Sequence, residues 1–157
     1  MNLPRLITGF WGRGDQLDPH LPFCDFTAFR GHCHTAARQV GGKVRSTAHA
    51  KKWEIAKSYG YAVLDTPTAS VAVLLNYSYP FIAFAEPLNN PPAITFIDVP
   101  ELAKEFLEFG VYQILTLEDL NSRIRKDSCQ DLGPAELKRI KYYGPKTIGE
   151  IIFNYWD

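Results

Sequence analysis

The central hydrophobic stretch of the chain reads Val71-Ala-Val-Leu-Leu-Asn-Tyr-Ser-Tyr-Pro-Phe-Ile-Ala-Phe-Ala85. It contains two runs rich in β-branched, aliphatic and aromatic residues, 71–77 and 81–85, separated only by Ser-Tyr-Pro. So short a connection between two such runs predicts an antiparallel hairpin. Because both runs are apolar on either face, we expect helices to cover at least one side of the sheet.

The sequence around this hairpin predicts the rest of an α+β fold. Further strands and helices are predicted at 61–64, 93–97, 111–115, 116–124 and 134–140. Asp98-Val-Pro-Glu101 has the layout of a capping box, which places a helix between two of these strands. The strand–helix–strand unit is long enough for a parallel crossover. Residues 1–157 are therefore predicted to form a single domain, with a mixed, largely antiparallel sheet of four to six strands packed by helices.

The first 45 residues are predicted to be largely irregular, because glycines and prolines interrupt any longer pattern. A short strand is expected at residues 5–8. Three phenylalanines recur at helical spacing between residues 23 and 29, and we expect them to pack on the core. Residues 46–59 are predicted to form a helix that Ser46 caps.

A second informative stretch reads Gly144-Pro-Lys-Thr-Ile-Gly-Glu-Ile-Ile-Phe-Asn-Tyr-Trp-Asp157. Thr147 and Glu150 have the spacing of a capping box, which predicts a helix from Ile148. Its large apolar side chains share one stripe, formed by Ile148, Ile151, Ile152, Tyr155 and Trp156. Phe153 and Asn154 fall off this stripe. Because so short a helix does not persist alone in water, we expect it to dock on the domain core or on a partner.

Composition limits the classes of function. Lys and Arg together number 17, as do Asp and Glu, so the net charge is zero. Nucleic-acid-binding proteins usually carry a basic excess, so nucleic acid is not the expected partner. A local excess of basic residues at 30–57 is expected to be a solvated helix face. The three cysteines are expected to be reduced thiols. The sequence also has no signal-peptide pattern and no apolar run long enough to span a membrane. Together with the reduced thiols, these observations predict a cytoplasmic protein without a membrane span.

The densest group of reactive side chains is Arg30-Gly-His32-Cys33-His34. On an extended segment His32 and His34 would point to the same face, a geometry that suits a metal. Further ligands could come from Cys24, His20 or His49. No paired ligand motif such as Cys-x-x-Cys accompanies them, so neither a metal nor another cofactor is predicted.

The same region could carry hydrolytic chemistry. Cys33 could be a nucleophile if His49 or His20 served as its base, with Asp15 or Asp18 orienting that base. An acid–base set for phosphodiester chemistry is the other arrangement, formed by Asp15, Asp18, His20, Arg30 and His32. Asp and Gly suit a turn-rich loop equally well, so no catalytic residue is predicted.

Aromatic residues exceed what one small core needs. The surplus comprises Tyr77, Tyr79, Phe81, Tyr142, Tyr143, Tyr155 and Trp156. Tyr and Trp are favoured as interface anchors, and two of these tyrosines directly precede the terminal helix. Asp157 adds negative charge at a helix end that disfavours it, so a cation is expected nearby. The predicted binding residues are Tyr142, Tyr143, Tyr155, Trp156 and Asp157.

The closing stretch 144–157 resembles the ending of small bacterial proteins of the polymorphic-toxin immunity type. The resemblance covers these 14 residues and carries over no inhibitory residue. It implies a small, cytoplasmic, non-enzymatic α+β domain that binds a cognate toxin and blocks its active site or an essential surface. Immunity proteins against nucleases are often acidic, whereas this chain is neutral, so a strongly basic nuclease is not the toxin that the resemblance implies.

The first hypothesis is therefore a binding protein whose protein partner is a cognate bacterial toxin. The alternative is a small hydrolase or nuclease that uses the segment 15–34. A third hypothesis is a structural subunit whose C-terminal helix docks in a larger complex.

Overall fold

The computed structural model describes residues 1–10, 24–48, 58–88 and 93–156. Its α-helices in these ranges are α1 (Phe26–Gln39), α2 (Pro100–Glu108), α3 (Leu117–Asn121), α4 (Pro134–Tyr143) and α5 (Ile148–Ile152). Its strands are β1 (Lys43–Ala48), β2 (Tyr59–Asp65), β3 (Ser70–Asn76), β4 (Phe81–Ala85), β5 (Phe96–Ile97) and β6 (Gln113–Ile114). A 3₁₀-helix spans Asp127–Cys129. The predicted α+β class is confirmed.

The six strands form one mostly antiparallel sheet in the order β1-β2-β3-β4-β5, and β6 also pairs with β4. The predicted hairpin is confirmed as β3–β4, in which Ala72 lies opposite Ala85. The predicted parallel crossover is wrong. β5 pairs antiparallel with the C-terminal end of β4, whereas β6 pairs parallel with its N-terminal end. The two short strands therefore share one edge of β4 end to end, instead of lying side by side.

Both faces of the sheet are covered by helices. Alternate residues of β3 point to opposite sides, so Val73 and Leu74 belong to different apolar clusters. One cluster lies under α1 and α2 and contains Phe29 and Phe106. The other lies under α3, α5 and the N-terminal residues. We call these coverings the α1–α2 layer and the C-terminal layer; the latter comprises residues 1–10, α3, α4, α5 and residues 153–156.

The N-terminal third differs most from the sequence prediction. The longest described helix, α1, lies where irregular chain was expected, and Asp25 caps it by accepting a hydrogen bond from the Ala28 N–H at 3.1 Å. β1 occupies 43–48, so the helix predicted from Ser46 is wrong there, because Ser46 pairs with Val63 of β2. Residues 49–57 of that predicted helix lie outside the described residues, and its last residue, Tyr59, begins β2 instead. Residues 5–8 form turns instead of a strand.

Helix boundaries in the second half follow the predictions more closely. α2 begins at Pro100, a residue suited to the first helical position, and its N-cap Val99 makes no side-chain bond, so the predicted capping by Asp98 is wrong. α3 ends at Asn121, three residues before the predicted end. α4 begins at Pro134 as predicted and continues to Tyr143, where Gly144 closes it at a φ of 59°.

Candidate functional site

The terminal helix α5 begins where the capping box predicts. The Thr147 hydroxyl accepts a hydrogen bond from the Glu150 N–H at 3.3 Å. The Glu150 carboxylate reaches back one residue further than expected, to the Lys146 N–H at 2.6 Å. Ile148, Ile151 and Ile152 are buried against α3 and the sheet, so the prediction of a docked C-terminal helix is confirmed.

Beyond Ile152 the predicted stripe no longer holds. Phe153 has a φ of −116° and a ψ of 77°, so the chain leaves helical geometry and the 3.6-residue period ends there. Phe153 and Asn154 are buried, although the period placed them off the apolar face. Tyr155, which the period placed on that face, is 41% exposed. Trp156 is buried as predicted.

Buried polar side chains hold this terminal segment in place. The Asn76 amide donates to the Ile7 carbonyl at 3.0 Å and to the Ile152 carbonyl at 2.8 Å. The Asn154 amide donates to the Thr8 carbonyl at 3.1 Å and to the Ile151 carbonyl at 2.9 Å. The residues of this polar hub, as we call it, are Thr8, Ser58, Asn76, Glu136 and Asn154.

Ser58 and the oxygens of the hub amides complete its hydrogen bonds. The Ser58 hydroxyl donates to the Ile152 carbonyl at 2.7 Å and accepts from the Asn154 N–H at 2.9 Å. The Asn76 side-chain oxygen accepts the Ser78 and Tyr79 N–H groups. Within the described residues, no buried side-chain nitrogen or oxygen lacks a hydrogen-bond partner. The hub is therefore satisfied, which a buried polar network needs to stabilise one conformation.

The carboxylate of Glu136 is fully buried and accepts four hydrogen bonds. One oxygen accepts the Leu6 N–H at 3.0 Å and the Gly133 N–H at 2.9 Å. The other accepts the Thr8 N–H at 3.2 Å and the Thr8 hydroxyl at 2.8 Å. Leu6 has a φ of +69°, an uncommon conformation for a residue with a side chain. Glu136 stabilises that turn and fastens the N-terminal segment to α4.

Four aromatic rings form a row beside the terminal segment, which we call the aromatic row: Tyr142, Tyr143, Trp156 and Phe10. Tyr142 is 78% exposed, and its ring contacts Tyr143 edge-on with centroids 4.9 Å apart. Tyr143 stacks on Trp156 at 5.3 Å with an interplanar angle of 1°. Trp156 also stacks on Phe10 at 6.4 Å, and the Arg139 guanidinium lies 4.9 Å from the Phe10 ring centre. The row therefore runs from an exposed tyrosine, through a buried tryptophan, to the half-buried ring of Phe10.

An open pocket of about 550 Å³ lies next to this row. The predicted binding residues Tyr143, Tyr155 and Trp156 line it. Tyr142 belongs to the row but does not line the pocket, and Asp157 lies outside the described residues. The other lining residues are Ala93, Ile94, Phe96, Asn121, Gly144, Pro145, Thr147, Gly149, Glu150, Phe153 and Asn154.

Sequence reasoning missed most of this lining, above all Phe96, Glu150 and Phe153. One signal was available at Gly149, because a glycine inside a short apolar helix often marks a close approach. A Cβ added there would lie 2.5 Å from the Phe96 ring and 2.8 Å from the Leu120 carbonyl oxygen. The glycine thus lets α5 pack directly on α3 and on β5.

The remaining aromatic residues from the predicted surplus are buried or half-buried. Phe81 is buried, and Tyr79 stacks on it with centroids 5.5 Å apart. The Tyr79 hydroxyl donates to the Arg5 carbonyl at 2.8 Å. Tyr77 is half-buried at the end of β3, where its backbone pairs with Cys24 and Ser58. These three side chains are not brought to the pocket.

The reactive group at 30–34 lies on α1, so the extended conformation in which His32 and His34 would share a face does not occur. Positions two apart on a helix point about 200° apart. His32 stacks on Phe109 with centroids 4.2 Å apart, and its Nδ1 lies 2.6 Å from the Tyr112 hydroxyl. His34 is exposed, and Cys33 is buried between them.

Burial raises the pKa of the Cys33 thiol, which disfavours the thiolate that a nucleophile needs. Burial also raises the pKa of Tyr112 and raises that of Cys24 to about 11. The predicted partners Asp15, Asp18, His20 and His49 lie outside the described residues. In the ranges that the structure describes, no group of three or more His, Cys, Asp or Glu side chains is placed to hold a metal ion.

The basic stretch at 30–57 is divided between two elements and is not one helix face. Arg30 and Arg38 are exposed on α1, whereas Lys43 and Arg45 lie on β1. The Arg45 guanidinium pairs with Asp65 of β2 at 2.8 Å. Hydrogen bonds from Ser70 and Arg45 hold the pKa of Asp65 below its ordinary value. Lys51 and Lys52 are among the residues that the structure does not describe.

Comparison with known proteins gives no relative: no protein-family model, no curated protein and no solved structure matches this chain. Among the described helices, none has both the length and the apolar character needed to cross a membrane.

Proposed function

We propose that this chain is a protein-binding domain of the immunity type, which neutralises a cognate bacterial toxin by direct contact. The observation that carries the proposal is the aromatic row, in which a 78% exposed tyrosine stands on rings that are packed into the core. The recognition surface consists of this row together with Tyr155 at the pocket. The sequence resemblance of residues 144–157 supplies the kind of partner.

The exposure of Tyr142 and Tyr155 supports a binding role. Large aromatic side chains dominate the binding energy of interfaces, where tyrosine and tryptophan are enriched. They offer wide contact area while having only two side-chain torsions to fix. Tyr142 and Tyr155 are exposed on adjoining segments, close to a concave surface.

The rigidity of the surface is the second support. Trp156 is only 9% exposed and is held between Tyr143 and Phe10, and its backbone N–H donates to the Asn154 side-chain oxygen at 3.3 Å. Asn154 in turn belongs to the polar hub. A surface that is ordered before binding loses less conformational entropy when the partner arrives, which favours affinity.

A growth assay tests this function. The protein encoded immediately upstream of this gene is taken as the candidate toxin and is expressed from an inducible promoter in a sensitive host, with and without this chain. We expect the native chain to restore growth and the double variant Tyr142→Ala/Tyr155→Ala to lose protection. Truncating an interface anchor costs about 2 kcal/mol or more, so the Kd for an inactive toxin variant should rise at least about 30-fold in calorimetry.

The matched control is Leu107→Ala on α2. Leu107 is 56% exposed and apolar but belongs to the opposite layer of the fold, so this variant should protect like the native chain. Thermal melting of all variants establishes that they are folded. Failure of the native chain to protect, or full protection by the double variant, would overturn the proposal.

A further inference from the structure

The pocket beside the aromatic row has a lining suited to a cation. Five rings line it, of which Phe153 and Trp156 are buried, whereas Phe96, Tyr143 and Tyr155 keep accessible surface. Aromatic faces carry negative electrostatic potential and attract ammonium and guanidinium groups. Among the lining residues that the structure describes, Glu150 is the one charged side chain and none is a lysine or arginine. We infer that this pocket receives an arginine side chain of the protein partner, an inference that rests on the proposed function and names what its site binds.

The Glu150 carboxylate has capacity for such a ligand. Its Oε2 accepts the Lys146 N–H at 2.6 Å, which fixes the side chain in place. Its Oε1 accepts no hydrogen bond from the residues that the structure describes. A guanidinium carries five N–H donors in a planar fork, so it can bond a carboxylate oxygen and stack on an aromatic ring at the same time.

The C-terminal end of α4 adds partial charge of the same sign. α4 ends at Tyr143 and Gly144, and both residues line the pocket. The C-terminal end of a helix carries partial negative charge, because its last carbonyls lack partners within the helix. The first turn of α5, with Thr147, Gly149 and Glu150, also lines the pocket, and the partial positive charge of that helix start opposes the contribution of α4. The preference for a positive group therefore rests on the rings and the Glu150 carboxylate.

Arginine fits this lining better than other side chains. A lysine ammonium is a compact, strongly hydrated charge, whereas the guanidinium is planar, more weakly hydrated and stacks on aromatic rings. An apolar side chain would remove water from the Glu150 carboxylate without replacing its hydrogen bonds, which is unfavourable. Arginine is also enriched among the dominant residues of protein interfaces.

The test is a titration of the isolated domain with N-acetylarginine amide, followed by the indole N–H signals in ¹H–¹⁵N spectra. The Trp156 signal is assigned by its absence in Trp156→Phe. We expect it to shift and saturate in the millimolar range. N-acetylcitrulline amide has nearly the same shape without the charge, and should bind at least fivefold more weakly. N-acetyllysine amide should lie between the two.

Two variants test whether the Glu150 carboxylate recognises the positive charge of the arginine probe. Glu150→Gln keeps an oxygen that can accept the Lys146 N–H. We expect this variant to bind the arginine probe at least fivefold more weakly than the native chain does. Glu108→Gln removes an exposed charge from α2 and should leave the titration unchanged. Equal binding of the arginine and citrulline probes, or no saturable shift, would overturn the inference.

The growth assay separates this inference from the proposed function. If protection depends on Tyr142 and Tyr155 but the arginine probe does not bind, the proposed function is retained and the inference of an arginine-binding pocket is overturned. Absence of protection by the native chain would remove the function, whatever the probe does. If both hold, Glu150→Gln should also weaken toxin binding, again by at least fivefold.

Discussion

The two layers that cover the sheet are held together by different forces. In the α1–α2 layer, the rings of Phe29 and Phe106 are fully buried and pack at 6.3 Å on each other, with aliphatic side chains of the sheet around them. In the C-terminal layer an apolar cluster is joined by a buried polar hub, in which Glu136 alone accepts four hydrogen bonds. The stability of the first layer depends mainly on buried apolar area, and that of the second also depends on hydrogen bonds, which require a specific geometry.

This difference explains where the candidate site lies. α1 and α2 satisfy most of their own backbone groups, so apolar packing suffices to hold them. Residues 6–8 and 153–156 have no regular secondary structure. Side chains must therefore supply hydrogen-bond partners for their buried backbone N–H and C=O groups. Asn76, Glu136 and Asn154 do so. The aromatic row and the pocket are therefore positioned by hydrogen bonds from distant parts of the chain.

Truncation after Tyr143 is the most severe test of whether the sheet needs its C-terminal layer. It removes α5 and the segment that follows, including the buried Ile148, Ile151, Ile152, Phe153 and Trp156. Each large apolar side chain contributes roughly 1.5–3 kcal/mol on burial, and a domain's stability is only about 5–15 kcal/mol. We expect the truncated chain to show no cooperative thermal transition in circular dichroism. A melting curve like that of the full chain would mean that the α1–α2 layer and sheet are sufficient.

Glu136→Ala should have the next largest effect. It leaves the buried N–H groups of Leu6, Thr8 and Gly133 without their acceptor, and we expect a loss of about 3–5 kcal/mol in urea denaturation. Glu108→Ala, which removes an exposed carboxylate from α2, should change stability by less than about 0.5 kcal/mol. Equal effects of the two variants would show that the hub adds nothing to the C-terminal layer.

His32→Ala should have the smallest measurable effect, because it removes one ring contact and one hydrogen bond from a layer held mainly by apolar packing. The variant loses the stack on Phe109 and the hydrogen bond with Tyr112, and we expect it to be destabilised by about 1–2 kcal/mol. His34→Ala, two residues along the same helix, should stay within about 0.5 kcal/mol of the native chain. The pair is compared by chemical denaturation, and a larger effect at His34 would contradict the packing role assigned to His32.

The sequence predicted the parts of the fold that local patterns determine. The β3–β4 hairpin, the start of α4 and the start of α5 each follow from neighbouring residues. α1 was missed because three of its four buried residues, Cys33, Ala36 and Ala37, are small and give a weak helical pattern. β1 was missed because its side chains are mostly exposed or half-buried, and its strand form comes from pairing with β2.

The candidate site was predicted only in part, for a related reason. Tyr143, Tyr155 and Trp156 were expected to bind, and the structure places all three at the pocket. The burial of Asn154 could not be predicted, because its partners Thr8 and Ser58 lie 146 and 96 residues away in the chain. Extending a helical period past Ile152 was the error, since hydrogen bonds to distant residues replace helical geometry there.

The Asn76 amide donates hydrogen bonds to the carbonyls of Ile7 and Ile152, so it joins an early and a late segment of the chain. This arrangement has a consequence for synthesis of the chain on the ribosome. The α1–α2 layer has all its residues once α2 has emerged, but the opposite face of the sheet cannot be covered until residues 148–154 have been made. At roughly 5–20 residues per second, the 40 residues from Glu108 to Ile148 take about 2–8 seconds. During that interval the nascent chain carries a half-covered, apolar sheet that is prone to aggregate or to recruit a chaperone.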